Sequence, residues 1–301
     1  MVLAEMSTSK PSLLRLSRGA TKAQALGRLD EATEEAHNFG GLDASLLSCT
    51  VDTELADKIL CFCAALPRSV GSSLQLAHND LSSGTDCEQR LFDRLAEREA
   101  REKEKAYHEK AKKDSANSKD FAVSAAQKRA AIEGIDKAVA RLAEIDEELK
   151  ELNFKKEQTP WYALFSQMEV RGQSGISCLD LSDCGLHATG LAMLTNVLLE
   201  LEQRADDVSV SELVLDGNDV GDIGMSAIAS LMRLTSSLKA LRLRNTGLTE
   251  RGVSQILAGL VSNKSLALLD LRSNGLATPA VSRAALEGVR RFNGAVEVLL
   301  D

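Results

Sequence analysis

A repeated pattern of leucines in the C-terminal part of the chain constrains the fold more than any other feature. The frame L-x-x-L-x-L-x-x-N/C-x-L occurs four times between residues 176 and 276, and a truncated fifth copy follows. The copies begin at Ile176, Val210, Leu238, Leu266 and Val296, so successive copies start roughly 30 residues apart, as the units of repeat proteins do. Such regularity indicates that one structural unit is repeated along the chain.

Each copy has the composition of a strand followed by a helix. Alternate side chains of an extended chain face the same side, so the leucines of the L-x-L core are predicted to point into a common interior. The polar position that follows is expected to lie inward and satisfy loop backbone groups, and it is occupied by Cys184, Asn218, Thr246 and Asn274. The glycines predicted to let the chain turn tightly into the helix are Gly190, Gly224 and Gly252.

The segment from residue 174 to residue 301 resembles the ribonuclease-inhibitor class of leucine-rich repeats. The resemblance implies an α/β solenoid with short parallel strands on its concave side and helices outside, and most members of the class bind other proteins. The same fold also serves a GTPase-activating protein for Ran and the caps of actin pointed ends, so the fold alone does not identify the function. The resemblance implies a protein-binding concave face that is lined by Asp180, Asp216, Arg242, Arg244, Asp270 and Arg272.

A weaker match to the same frame lies upstream. Part of the frame is reproduced by Leu74, Leu76, Asn79 and Leu81. This match predicts one or two degenerate repeats between residues 42 and 95, with a small independent helical cap as the alternative. Residues 1–41 are predicted to form a basic N-terminal arm or cap, although a mitochondrial presequence would have a similar composition.

Residues 96–157 are predicted to form a charged antiparallel helical hairpin, or coiled coil, inserted between the repeats. Strong helix formers make up its first half, turn residues occupy 114–120, and a second helix follows. The second helix carries an apolar stripe at spacings of three or four residues, formed by Ile132, Ile135, Val139, Leu142, Ile145, Leu149 and Leu152. The stripe either packs on the first helix or the repeat body, or is partly exposed and binds another protein.

The segment 158–173 is predicted to be an aromatic connector. It contains the only tryptophan, Trp161, in a cluster with Tyr162, Leu164 and Phe165. We expect this cluster to pack against the end of the C-terminal repeats, and an exposed binding hot spot is the alternative.

Composition and motifs exclude several classes of function. The net charge of −8 argues against binding of nucleic acid or of an anionic membrane surface, and no apolar run approaches the roughly 20 residues that span a bilayer. The sequence contains no GxxxxGK[ST], HExxH or GxSxG motif. We therefore predict no catalytic residue, cofactor, metal site or small-molecule substrate. The six cysteines, which form no CxxC pair, indicate free thiols in a reducing compartment.

Together these features predict a non-catalytic scaffold or adaptor that binds other proteins in a large cytoplasmic assembly, such as a cytoskeletal or axonemal structure. One alternative is a small-GTPase regulator resembling the Ran GTPase-activating protein, for which Arg244 and Arg272 are the candidate arginines. Another is a structural subunit of a mitochondrial complex, an alternative that rests on the basic N-terminus.

Overall fold

The computed structural model describes residues 13–45, 47, 51–66, 72–79, 81, 85–116, 121–157, 159–171, 176–204, 210–275 and 296–300. The chain divides into two compact units. We call the first the sheet unit, made of Met1–Ser83 with Thr159–Asp301, and the second the helix-pair unit, made of Gly84–Gln158.

The sheet unit contains one sheet of eight strands, which are all parallel and lie in the order of the sequence. This arrangement confirms the predicted α/β class with parallel strands. The strands are β1 Leu14–Arg15, β2 Gly41–Asp43, β3 Ser72–Gln75, β4 Ile176–Asp180, β5 Glu212–Val214, β6 Ala240–Arg242, β7 Leu268–Asp270 and β8 Glu297–Leu299.

The central apolar residues of neighbouring strands face each other across the whole sheet. They are Leu14, Leu42, Leu74, Leu179, Leu213, Leu241, Leu269 and Val298. Successive members lie roughly 30 residues apart along the chain, as repeat units do, except for Leu74 and Leu179. The segment Gly84–Gln158 lies between these two leucines and accounts for their greater separation, so the helix-pair unit interrupts a single repeat.

Eight α-helices are described, along with a short 3-10 helix at Ala36–Asn38. They are α1 Lys22–Thr33, α2 Thr53–Ala65, α3 Thr85–Ala116, α4 Phe121–Glu157, α5 Pro160–Arg171, α6 Ala188–Gln203, α7 Gly221–Leu234 and α8 Glu250–Leu260. None of these described helices is long and apolar enough to cross a membrane.

The helix α5 takes the place of the predicted aromatic connector. It contacts α2 on one side and α6 on the other, and so continues the row of helices formed by α1, α2, α6, α7 and α8. Trp161, Leu164 and Phe165 are buried in the common core of the sheet unit. The backbone N–H of Trp161 donates to the carbonyl of Leu81 at 3.4 Å, which joins the two chain segments that flank the helix-pair unit.

The N-terminal segment contains a strand and a helix of its own. β1 pairs with β2, and α1 packs against α2. A reciprocal capping box between Thr21 and Gln24 begins α1, since each side chain bonds to the other residue's backbone N–H. The first twelve residues of the predicted arm or cap lie outside the described residues.

The framework asparagines bind the backbone of the preceding repeat. The side-chain oxygen of Asn218 accepts from the N–H groups of Cys184 and Leu186 at 3.1 and 2.9 Å. Its amide nitrogen donates to the carbonyls of Leu181 and Leu215 at 2.8 and 2.9 Å. One buried side chain therefore satisfies four backbone groups. Buried backbone groups in a loop need such partners because they have no strand to pair with.

Asn274 has the same role two repeats further on, but Thr246, in the repeat between them, departs from it. Asn274 accepts from the N–H of Thr246 at 2.8 Å and donates to the carbonyl of Leu243 at 2.7 Å. The hydroxyl of Thr246 has a single proton, and two acceptors lie within its reach, the same Leu243 carbonyl at 2.9 Å and the side-chain oxygen of Asn274 at 3.1 Å. A hydroxyl can thus occupy the framework position because the N–H groups of Asn218 and Val220, which it does not reach, bond to the carbonyls of Leu215 and Asn218.

The prediction that three glycines provide tight turns is wrong. Gly190, Gly224 and Gly252 lie within the first turns of α6, α7 and α8, and none has a positive φ. A Cβ at Gly190 would lie 2.6 Å from a methyl group of Leu186, and one at Gly224 would lie 3.0 Å from Leu191. These glycines are therefore needed for close packing of each helix on the preceding structure.

The helix-pair unit consists of α3 and α4, which contact each other. Arg98 pairs with Asp146 at 2.9 Å, and Arg94 pairs with Glu148 at 2.7 Å. Residue numbers thus rise along α3 as they fall along α4. α3 begins at Thr85, eleven residues before the predicted boundary at 96, because the helix-forming sequence already starts there.

Candidate protein-binding surfaces

The first candidate surface lies on the side of the sheet that faces away from the leucine core. Leu179, Leu213, Leu241 and Leu269 point inward and are fully buried. Because side chains alternate along a strand, the neighbouring residues face the opposite side. We call the resulting surface the sheet face and define it by Asp180, Glu212, Asp216, Arg242, Arg244, Asp270 and Arg272.

Two arginines converge on Asp270 at one end of the sheet face. Arg272 donates through Nε to Oδ1 at 2.9 Å and through Nη2 to Oδ2 at 2.7 Å. Arg244 donates through Nε to Oδ2 at 2.6 Å. These hydrogen bonds from Arg272 and Arg244 hold the pKa of Asp270 well below its usual range.

The prediction that Asp270 is an exposed docking residue is wrong. Its side chain is only 1% exposed, whereas Arg244 and Arg272 retain more than a third of their exposure. The two guanidinium groups cover the carboxylate because both donate charge-assisted hydrogen bonds to it. Asp270 therefore positions the arginines, and the arginines themselves form the accessible surface.

The remaining charged groups of the sheet face are also hydrogen-bonded. Arg242 donates to the carboxylate of Glu212 at 2.8 Å. Asp216 accepts from the backbone N–H of Arg244 at 2.8 Å, and burial raises its pKa. Asp180 accepts from the backbone N–H of Ser182 at 3.0 Å. The result is a polar surface whose charged groups are held in place before any ligand arrives.

The second candidate surface is the apolar stripe of α4, which the structure divides in two. Ile145, Leu149 and Leu152 are buried and form a cluster with Leu91 of α3. Ile132 and Val139, by contrast, are 38% and 45% exposed. The two other residues of this half, Ile135 and Leu142, are partly buried.

Small residues explain why half of the stripe is left uncovered. Ala131 and Ala138 are almost fully buried where the large aliphatic residues were predicted to pack. Gly134 lies so close to His108 of α3 that a Cβ would be 2.6 Å from the ring. α3 therefore approaches α4 along the side that bears Ala131, Gly134 and Ala138, and the larger residues face elsewhere.

An open groove of about 520 Å³ lies beside the uncovered half of the stripe. Val139, Leu142 and Ala143 of α4 and Ala106 of α3 form its apolar lining. Charged side chains of both helices, including Arg98 and Asp146, also line the groove. An apolar groove with charged margins is a form of surface that accepts an amphipathic helix.

Residues 208–229 match a family model described as Leucine Rich repeat. This match supports a leucine-rich-repeat protein. The matched segment contains β5 and the first nine residues of α7, so it covers the strand, the asparagine loop and the start of the helix of one leucine-rich repeat. Among curated proteins, no sequence matches this chain.

Each candidate surface includes positions that sequence reasoning missed. Glu212, the acceptor for Arg242, belongs to the sheet face because it precedes the inward Leu213 by one residue. The same alternation that selected Asp216 could have identified it. In the helix-pair unit, Ala131 and Ala138 precede Ile145 at intervals of seven residues, a spacing that could have located the true contact line.

The buried thiols of the sheet unit, Cys63 and Cys184, are poor nucleophiles. Burial raises the pKa of Cys63 and of Cys184 to about 12, so both remain protonated at neutral pH. Cys184 occupies the framework position, and its Sγ donates to the carbonyl of Leu76 at 3.1 Å. Within the described parts of the chain, no group of three His, Cys, Asp or Glu residues is placed to hold a metal ion.

Proposed function

We propose that this chain is a non-catalytic scaffold or adaptor that binds other proteins through the sheet face and through the uncovered half of the α4 stripe. In this proposal the repeats belong to the ribonuclease-inhibitor-like class, and α3 with α4 forms an antiparallel helical hairpin. The ligands are proteins, and the proposal includes neither a cofactor nor a nucleic acid nor a small-molecule substrate.

The observation that carries this proposal is the network of paired charges on the sheet face. Arg242, Arg244 and Arg272 are partly exposed, and each bonds to a carboxylate of its own or a neighbouring repeat. Side chains that are ordered in advance lose less conformational entropy when a ligand binds. Arginine is also enriched at protein interfaces, where it combines several donors with an apolar stem.

The same network favours binding over catalysis. Arg244 and Arg272 are the residues that a GTPase regulator would have to extend toward a phosphate, and both donate to Asp270. Extending either arginine would remove donors from a buried carboxylate, which costs free energy. This arrangement supports a structural role for both arginines within a docking surface.

The proposal extends to a large cytoplasmic assembly of cytoskeletal or axonemal type. Repeat arrays present extended binding surfaces because each repeat adds to a continuous sheet. A helix pair inserted into one repeat supplies a second surface of different chemistry, apolar instead of charged. Two surfaces on one chain suit a component that holds several proteins together.

Cross-linking and affinity purification with mass spectrometry would test the proposal. One variant, Glu212→Arg with Arg242→Glu, reverses an ion pair and so changes the charge pattern of the sheet face while retaining the internal contact. A second variant replaces residues 84–158 with a short flexible linker. Arg251→Glu is the matched control, because Arg251 is an exposed residue of the helix α8.

We expect specific protein partners that are lost on reversal of the Glu212–Arg242 pair and kept in the Arg251→Glu control. If reversal has no effect but removal of residues 84–158 abolishes capture, the α4 stripe carries the binding instead. A wild-type chain that captures no protein above the level of an unrelated bait would contradict the proposal.

A further inference from the structure

The uncovered side of α4 carries a symmetric arrangement of residues. Two charged residues flank four apolar ones, in the order Lys128, Ile132, Ile135, Val139, Leu142 and Asp146. The spacings are four, three, four, three and four residues, so the arrangement reads the same in both directions around residue 137. Residues at such spacings lie along one side of a helix. The charge, however, is basic at one end and acidic at the other.

The helix α3 does not cover this side of α4. The contact line of α4 with α3 passes through Ala131, Ala138 and Ile145, which are buried. Ile132 and Val139 lie beside that line and keep more than a third of their surface exposed. Covering such aliphatic side chains would be favourable by roughly 25 cal/mol for every Å² removed from water.

We propose that the uncovered stripe binds the same stripe of a second copy of this chain, with the two α4 helices antiparallel. This inference rests on the proposed function, because it names the partner of the stripe. A twofold axis near residue 137 places Ile132 opposite Leu142 of the second copy and Ile135 opposite Val139 of the second copy. Each apolar residue then faces another apolar residue.

Charge complementarity selects the second copy and its direction. In the antiparallel arrangement Lys128 faces Asp146 of the second copy, and the twofold axis repeats this ion pair. A parallel arrangement would instead place Lys128 against Lys128, which is repulsive.

The charged residues at the two ends are available for this contact. Lys128 and Arg129 are exposed, and within the described residues neither has an ion pair. Asp146 is about half exposed, and one of its oxygens accepts from Arg98 at 2.9 Å. A carboxylate accepts several hydrogen bonds, so Lys128 of the second copy can join this pair.

Sedimentation of the full-length protein over a range of concentrations would test the inference. The variants are Lys128→Asp, Asp146→Lys, the double variant with both changes, and Val139→Ser in the apolar centre. Lys110→Asp is the matched control, because Lys110 is an exposed α3 residue outside the groove lining. Circular dichroism of each variant checks that the helices are retained.

We expect the wild type to form dimers and Val139→Ser to weaken them. Each single reversal converts two attractive pairs into repulsive ones, so the dimer dissociation constant should rise about tenfold. The double variant, and an equimolar mixture of the two single variants, should return to wild-type affinity. Lys110→Asp should have no effect.

A wild type that remains monomeric at every concentration would overturn the inference. Single reversals that leave the dissociation constant unchanged would also overturn it, because they would show a parallel pair or another interface. If Asp146→Lys loses helix content because its bond to Arg98 is lost, the test uses only Lys128→Asp and its control Lys110→Asp. A dissociation constant that is the same for these two variants then overturns the inference.

The outcomes separate this inference from the proposed function. If the wild type is a monomer that still captures proteins through the sheet face, the scaffold proposal stands and the dimer inference is overturned. If the wild type is monomeric and Val139→Ser loses a captured protein, the stripe binds a different protein and the dimer is overturned. A dimer that captures nothing else retains the inference about the stripe and contradicts the scaffold.

Discussion

At the scale of single residues, the framework asparagines determine how one repeat is joined to the next. Asn218 lies in the loop after β5, but two of its bonds reach backbone N–H groups of the repeat that contains β4. Because the side chain is fully buried, water cannot replace these bonds when the amide is removed. The asparagine therefore stabilises an interface between repeats as well as its own loop.

Asn218→Ala is expected to lower the free energy of unfolding by about 3 kcal/mol, since several buried backbone groups lose their partner at once. Thr246→Ala is the matched control at the equivalent position of the next repeat. It should cost about 1 kcal/mol, because Asn274 still serves the surrounding backbone. Urea unfolding followed by circular dichroism measures both, and equal losses would contradict the assigned roles.

Asp270 should make the free energy of unfolding of the sheet unit depend on pH in the acidic range. Its pKa is lowered in the folded chain, first by Arg272 and then by Arg244. The stabilisation is complete above the ordinary aspartate pKa of about 3.9 and is lost as the pH falls through the lower folded value. The stability difference between wild type and Asp270→Asn should therefore be constant from pH 7 to pH 5 and shrink below about pH 4.

Asp216→Asn is the matched control for this pH dependence, because burial raises the pKa of Asp216. A raised acid pKa disfavours the folded state once the group ionises. The wild type should thus lose stability relative to Asp216→Asn as the pH rises from about 4 toward neutrality. Unfolding curves at several pH values measure how the stability difference between wild type and each variant changes with pH. If that difference changes in the same direction for both variants, the assignment is refuted.

At the scale of elements, the approach of α3 to α4 depends on the absence of a side chain at Gly134. Glycine within a helix normally costs up to about 1 kcal/mol relative to alanine. Here a Cβ would lie 2.6 Å from three atoms of the His108 ring. Glycine is therefore less favourable for the helix than alanine at this position, but it allows the two helices to come into contact.

Gly134→Ala is expected to bring no stability in the wild type but a gain of about 1 kcal/mol when His108 is replaced by alanine. Gly27→Ala in α1 is the matched control, since a Cβ there meets no atom within 4 Å. It should stabilise by about 0.5–1 kcal/mol in either background. Thermal unfolding of the helical signal measures the four combinations, and an equal effect of Gly134→Ala with and without His108 would contradict the contact.

At the scale of the whole molecule, the helix-pair unit interrupts the repeats without replacing any part of them. The segments on either side of it meet through the bond from Trp161 to Leu81. The helix α5 then contacts α2 and α6, both of which belong to the sheet unit. These contacts of the row of helices therefore lie within the sheet unit.

Replacement of residues 84–158 by a short Gly-Ser linker should leave the sheet unit folded. We expect one cooperative urea transition with Trp161, the only tryptophan, still buried in the native state. Phe165→Ala in the shortened chain provides the comparison, because loss of this buried ring should cost about 3–5 kcal/mol. A solvent-exposed tryptophan spectrum before urea is added would contradict the expectation.

The amino-acid sequence by itself determined the repeating class of fold, because alternating leucines in a unit of roughly 30 residues permit few other ways to bury the apolar side chains. It also identified Asp216, Arg242, Arg244 and Arg272 as outward residues of the strands, since alternation along a strand is a local property. The match at residues 208–229 supports this class for one of the repeats.

The tertiary structure decided which of these residues stay accessible. Alternation placed Asp270 on the sheet face, but only the convergence of Arg244 and Arg272 could show that its carboxylate is covered. In α4 the periodic aliphatic residues predicted one stripe. The second half of that stripe packs on α3 as expected. In the first half the contact follows small residues instead, because side-chain size, which periodicity ignores, sets how closely two helices approach.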